Sequence, residues 1–360
     1  MLQDSKIFML EADSPGARSA LLNGWIEVGQ ERVRVVAEEV LEGPVRTIAF
    51  KRVDRPRPAR IKALLVSLRA VSLTATALPG FAVLSLGLLS GLRAELGFFV
   101  LALLGTIFLQ IGVNVLNDVE DHLKLIDLPG SSGGSQTIQR GWLSAYELRI
   151  VGYLSLAIGV GLGLPVLMRH WQILVPVRTV ALIGSLGYSS KPLGLKYRAL
   201  GDIAVFLMCG PLLTAGYSMA TFSAVIPGVY HLGFFFGLLA CGILHINNIQ
   251  DIRIDTLSGA RTLAAKLGFE KSRLLLTAFY VLAYLSLGVG VLQGVLHPAV
   301  LFSILAIPFF AKILSRSRVA SGPDSPALNG LRVMAAQGHL IAGLTMLVAL
   351  SLARYIASSP

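Results

Sequence analysis

Residues 97–121 read GFFVLALLGTIFLQIGVNVLNDVED. No charge interrupts this run before Asp118, and its apolar part has the length a helix needs to cross a bilayer core, about 20 residues. It then ends in Asn114, Asn117, Asp118, Glu120 and Asp121. Residues 230–255, YHLGFFFGLLACGILHINNIQDIRID, follow the same plan and end in Asn247, Asn248, Asp251 and Asp255. Asn114 and Asn247 are 133 positions apart, as are Asp118 and Asp251. The repeat is short, so it marks two helix ends put to similar use rather than a duplicated domain.

The rest of the chain agrees with a membrane reading. Of 360 residues, 54% are apolar and 14% charged, whereas soluble domains carry about 45–50% and about 25%. Mean hydropathy is +0.71. Too few charges remain to cover a water-facing surface, and disorder, collagen and coiled coil are excluded. Cys209 and Cys241 lie in apolar runs, without disulfide-framework or zinc spacing. Nine apolar spans are expected, at 70–90, 97–117, 148–168, 171–188, 202–222, 230–249, 274–294, 297–314 and 333–355. The expected architecture is an all-α membrane protein of nine helices around a central cavity, spanning residues 61–360.

Residues 1–60 form a small N-terminal cytoplasmic extension. They contain no long apolar stretch, and alternation between Trp25 and Val53 suggests a small β-hairpin or else a loosely ordered arm. Arg55-Pro56-Arg57-Pro58 reads as a stiff linker. Basic residues crowd one side, including Lys51 to Arg69 and the loops holding Arg140, Lys191, Lys196, Arg253, Arg261 and Arg316. The other side holds Arg93, Arg169, Arg178 and Arg354. That asymmetry puts the N-terminus in the cytoplasm; a bacterial inner membrane is the expected location. It also accounts for the net charge of +11, so no nucleic acid is expected as partner. The residues at 51–69 suit anionic headgroups, and no protein partner is expected.

Helical spacing gives the acidic ends a chemistry. Asn117 and Asp121 are i, i+4, as are Asp251 and Asp255, so each pair shares a face. Carboxylates aimed into one cavity at a membrane boundary repel one another and are expensive to bury. A hard divalent cation removes that cost; oxygen-only donors suit Mg²⁺, which also binds substrate phosphates. The EF-hand pattern is absent. The alternative is a pair of solvated helix ends.

The pattern Asn117-Asp118-x-x-Asp121 with Asp251-x-x-x-Asp255 resembles the paired motifs of the UbiA superfamily of intramembrane prenyltransferases. The likeness covers about residues 64–350. Further matches are Leu68-Arg69 through Pro79, Gln139 to Ser144, Tyr188 through Asp202, and Gly259 to Leu263. Asp127, six residues after Asp121, is similar to the 1,4-dihydroxy-2-naphthoate polyprenyltransferase (menaquinone) branch; the general pattern would put an Asp at 125, which is Leu here. The resemblance implies Mg²⁺-dependent transfer of a polyprenyl group from an allylic polyprenyl diphosphate to an aromatic acceptor, a quinone precursor such as 1,4-dihydroxy-2-naphthoate. It implies Asp118, Asp121, Asp251 and Asp255 as catalytic carboxylates that hold metal together with Asn117. It implies Asn114, Asp127, Arg140, Tyr188, Lys191, Asn248 and Arg261 as substrate-binding residues. Phe108, Tyr188 and Phe206 are candidates to face an allylic cation, or to pack the core.

Four positions where the branch carries a cation are Ser131, Gln136, Gln250 and Ala260 here. Lys191, Arg140 and Arg261 remain to meet the diphosphate, and Gly130 to Ser135 offers either backbone N–H donors or a flexible linker. A divergent relative with another acceptor, a membrane terpene cyclase and a non-catalytic homologue stay open. So does a secondary transporter, although transporter ion sites usually lie near the midplane. His122 and His245 are candidates for proton transfer or for structural hydrogen bonds. Glu120 is expected to be solvated.

Overall fold

The computed structural model describes residues 7–129, 133–171, 192–257 and 259–358, with positions 175, 179, 183, 184, 187 and 188 between them. The chain divides into two compact units, Met1–Ala70 with Ile111–Leu156, and Val71–Gln110 with Ala157–Pro360.

In the first unit the N-terminal residues form a four-stranded antiparallel sheet in place of the hairpin or loose arm suggested by the sequence. Its strands are β1 (Ile7–Glu11), β2 (Trp25–Val28), β3 (Glu31–Leu41) and β4 (Thr47–Arg52), in the order β1-β4-β3-β2. Helix α1 (Pro15–Asn23) starts on Ser14, whose side chain accepts from the Ala17 N–H, and stops at Gly24 with φ +74°. Ser14 satisfies an orphan donor, and glycine takes the left-handed turn without a Cβ penalty. Val33, Val35 and Ala37 alternate inward on β3 and pack with Ile48 and Phe50 of β4 against Ala17, Ala20 and Leu21 of α1. Helix α2 (Arg60–Ser67) follows the proline-rich linker.

Among the described residues eight segments are long and apolar enough to cross a membrane. The first, Ala70–Leu89, comprises a short 3₁₀ turn and α3 (Thr74–Leu89). Next come α4 (Leu96–Leu123) and α5 (Ala145–Arg169), each contributing to both units. The expected span 171–188 lies mostly outside the described residues. The span expected at 202–222 is two half-helices, α6 (Gly201–Cys209) and α7 (Pro211–Phe222). Pro211 lacks an N–H and ends the hydrogen-bond ladder there. After α8 (Val229–Gln250) come two short helices, α9 (Ile252–Leu257) and α10 (Leu263–Leu267), and then α11 (Phe269–Leu292). The expected span 297–314 begins as a 3₁₀ segment, Pro298–Ala306, capped by His297, and continues as α12 (Ile307–Val319). The last helix is α13 (Leu331–Ser358).

In the second unit α8 is the enclosed element. Its Leu232, Phe235, Phe236, Leu239, Ile246 and Ile249 are buried, together with Tyr217, Leu276, Leu287 and Met346 from its neighbours. Large apolar side chains such as Val100, Leu285, Phe302 and Val348 are exposed, as a lipid-facing surface requires.

Candidate active site

The first acidic motif lies in the first unit. Helix α4 runs six residues past its expected end at 117, so Asp118 and Asp121 sit on its last turns, both buried. Asn117 Nδ2 donates to Asp121 Oδ2 at 2.8 Å. Asp118 accepts the Ser135 N–H at 2.8 Å and Arg69 Nη1 at 3.2 Å, its two oxygens shared between them. Asp127 is buried, and its backbone carbonyl accepts from Gln139 Nε2 at 3.0 Å. Gly133 and Gly134 run between these carboxylates. A Cβ on Gly134, where φ is +62°, would lie 2.8 Å from Asp127 Oδ2 and 3.1 Å from Asp118 Oδ1. Gly134→Ala therefore strains the backbone and pushes two carboxylates apart at once. Its expected effect is a loss of about 10²-fold in kcat/KM for the diphosphate that the resemblance implies, as small misplacements at a reacting centre cost; a variant within threefold of the parent would contradict this.

The second motif lies in the second unit. Asn247 Nδ2 donates to Asp251 Oδ2 at 2.9 Å, and Asn247 Oδ1 accepts Arg332 Nη1 at 3.1 Å. Asp255 is buried, accepts Thr262 Oγ1 at 2.7 Å, and its carbonyl accepts the Ala260 N–H at 2.8 Å. Thr262 also caps α10 by accepting from the Ala265 N–H at 3.3 Å, so one hydroxyl ties the carboxylate to the start of the next helix.

Side-chain geometry sets the equivalence of the two ends. The matching hydrogen bonds are Asn117–Asp121 and Asn247–Asp251, 130 positions apart. This is a second correspondence beside the one at 133 positions, which matches Asn114 with Asn247 and Asp118 with Asp251.

The other expected residues fall as follows. Asn114 is half-buried on α4, one turn before Asp118, and Asn248 is buried on α8. Tyr188 is buried, and its carbonyl accepts the Lys196 N–H at 2.9 Å. Lys191 lies outside the described residues. Arg140 is exposed and stacks over the Trp142 ring, 5.0 Å from its centroid. Arg261 is exposed, with its backbone bridged to Arg198. Glu120 pairs with Lys124 at 3.4 Å, half-buried rather than fully solvated. His122 donates through Nε2 to the Leu21 carbonyl at 3.1 Å. His245 Nδ1 meets Asp202 Oδ1 at 2.8 Å. Phe206 packs edge-on against Phe234. The sequence does not mark Arg69, Arg332 or Thr262 as partners of the motif side chains; Arg69 and Arg332 reach theirs across 49 and 85 residues, which no local spacing shows.

Among the described residues no three His, Cys, Asp or Glu side chains form a ready-made metal cage. The donor set still fits Mg²⁺. That ion usually keeps waters and takes one or two carboxylates plus substrate phosphates. Asp118 and Asp127 flank one glycine, and their hard oxygens match an ion that arrives with a diphosphate.

A helical membrane bundle with two Asn–Asp helix ends defines a class of intramembrane enzyme, and comparison with known proteins agrees. The model of the UbiA prenyltransferase family matches residues 73–331. The chain belongs to that family and is a prenyltransferase, a multi-pass membrane protein. It is 33% identical over 230 residues to a 1,4-dihydroxy-2-naphthoate octaprenyltransferase of Haemophilus influenzae, covering 59% of this chain and 71% of that one. It is 32% identical over 198 residues to UbiA prenyltransferase domain-containing protein 1 of Dictyostelium discoideum, covering 51% of this chain and 58% of that protein's length. The solved structure of a UbiA homolog from Archaeoglobus fulgidus bound to GPP and Mg²⁺ shares the fold. Its TM-score is 0.54 at 18% identity, over 79% of this chain and 99% of that one.

Proposed function

We propose that the chain transfers a polyprenyl group from an allylic polyprenyl diphosphate to 1,4-dihydroxy-2-naphthoate, with Mg²⁺ at the carboxylates of both motifs. The observation that carries this is the same Asn-to-Asp hydrogen bond at each motif, next to the buried Asp118 and Asp255. The acceptor follows the relatives that bear that name. Bound Mg²⁺ would offset the charge of the leaving diphosphate.

The chain's own groups supply the rest. Asn117 and Asn247 orient Asp121 and Asp251 by donating to one oxygen of each. Arg69 and Arg332 are held at the motifs by Asp118 and Asn247, where a guanidinium can also donate to phosphate. The allylic C–O bond breaks with its electron pair going to the diphosphate oxygen. The ring supplies the pair for the new C–C bond, and rearomatisation expels the substituent at the attacked carbon. An apolar surround keeps water from the cation. Orientation with the N-terminus in the cytoplasm, a ninth span at 171–188 and a bacterial inner membrane complete the reading.

The test is pyrophosphate release and prenylated product from polyprenyl diphosphates, with protein in lipid nanodiscs. Mg²⁺ is present or chelated, and 1,4-dihydroxy-2-naphthoate is compared with 4-hydroxybenzoate and with no acceptor. Release that requires Mg²⁺ and the naphthoate is expected. Equal release without an acceptor would replace transfer by cyclisation or hydrolysis.

A further inference from the structure

The N-terminal sheet lies outside the residues that the family model matches, yet it grips the loop that follows the first acidic motif. Helix α4 ends through Leu125, whose φ is +59°. The Ile126 N–H bonds the Asp121 carbonyl at 2.9 Å and the Leu125 N–H bonds the His122 carbonyl at 3.0 Å. A leucine in this left-handed conformation is strained by its Cβ, and glycine is the usual residue at such an end. The compensation is visible: Leu123, Leu125 and Leu128 pack on the core made by α1 and strands β3 and β4. One position before that packing begins, His122 donates to the Leu21 carbonyl of α1, 101 residues away in sequence.

The outgoing end of the loop is held by the same domain. Gly141, with φ +65°, approaches the sheet so closely that a Cβ there would lie 2.9 Å from the Val53 side chain and 3.4 Å from that of Val36. Between the two attachments lie Asp127, braced by Gln139, and Gly134 and Ser135 against Asp118. The chain leaving the sheet also leads through α2 to Arg69 and its bond to Asp118.

We propose that the N-terminal α/β domain is a positioning scaffold for the diphosphate-binding loop, with His122 and Leu125 as the residues that transmit its hold to Asp127 and Asp118. The inference rests on the proposed function for what the loop binds, but the hold itself is read without turnover.

The experiment uses the full chain in lipid nanodiscs, as parent, His122→Ala, His122→Gln and Leu125→Gly. Amide hydrogen exchange over residues 121–144 is measured first, without substrate. His122→Ala and Leu125→Gly are expected to speed exchange there about tenfold or more, while the segment 230–250 stays at the parental rate. In turnover they are expected to raise KM for the polyprenyl diphosphate and the half-saturating Mg²⁺ concentration about tenfold, with KM for the acceptor within twofold. His122→Gln, whose amide still donates, recovers most of both effects. Unchanged exchange over 121–144 in folded His122→Ala and Leu125→Gly overturns the scaffold, whatever the activity. So does a loss shared equally by all kinetic constants and not recovered by His122→Gln. A parent that transfers no prenyl group while the variants show faster loop exchange would instead overturn the proposed function and leave the scaffold supported.

Discussion

Asp251→Asn is expected to lower kcat for prenyl transfer about 10²–10³-fold, equivalent to about 3–4 kcal/mol of lost transition-state stabilisation. The substitution is close to isosteric. Its amide oxygen can still accept from Asn247 Nδ2, which sits 2.9 Å from the carboxylate oxygen, while the negative charge is removed. Thermal melting of the solubilised protein is recorded alongside, so that loss of chemistry is separated from loss of fold at this half-buried side chain. Glu120→Gln is the matched comparison. Glu120 is a carboxylate of the first motif, but it pairs with Lys124, and such half-exposed pairs contribute little; its kcat should stay within twofold. Single-turnover transfer with saturating Mg²⁺ reads both. Asp251→Asn retaining a tenth or more of the parental rate would remove this carboxylate from the chemistry.

Gly210→Ala is expected to cost at least about 3 kcal/mol of stability. A Cβ at that position would press on the carbonyl oxygens of Phe206 and Gly233 and lie 2.9 Å from the Cα of Gly237. All three are backbone atoms, so no rotamer change relieves the clash. The same close approach recurs from the facing side: a Cβ on Gly233 would lie 2.6 Å from Thr214 Oγ1 and 2.7 Å from the Pro211 Cα. Small residues that let helices meet at backbone distance are the usual means of packing in a membrane, where lipid offers no hydrophobic drive. Thermal melting and size-exclusion profiles in detergent check it. Gly216→Ala, on α7 with open space around it, should melt within about 1–2 °C of the parent. Equal stability of the two variants would refute the packing argument.

The spans were legible because an uncharged run of bilayer length has few alternatives, and the composition leaves no surface for a soluble fold. The Asp residues were legible as a site because helical spacing puts Asn117 with Asp121 on one face. Asn114 and Asn117 both lead into the first Asp cluster, so composition alone matches either of them to Asn247. The Asn117–Asp121 and Asn247–Asp251 hydrogen bonds add a correspondence that no composition shows. The sheet was half-legible. Val33-Arg34-Val35 alternates and reads as strand, but Ile7–Glu11 is an apolar run closed by one acid, IFMLE, with no period to show that it pairs with β4 across some forty residues. Arg140 was expected to face phosphate, and its neighbour Trp142 offers a nearer partner in the ring face. A local stacking contact of this kind competes with a ligand and leaves no mark in a charge pattern.

The interruption between α6 and α7 bears on biogenesis. Two half-helices of nine and twelve residues are each too short to span alone, and the missing Pro211 N–H leaves the Leu207 carbonyl of α6 without its i+4 donor. Unpaired carbonyls in hydrocarbon cost several kcal/mol each, so this segment is a poor stop for a nascent chain. Its lid is the glycine face of α8, Gly233 and Gly237, which leaves the ribosome later. The packing that closes this interruption is therefore complete only once residues 229–250 have been synthesised.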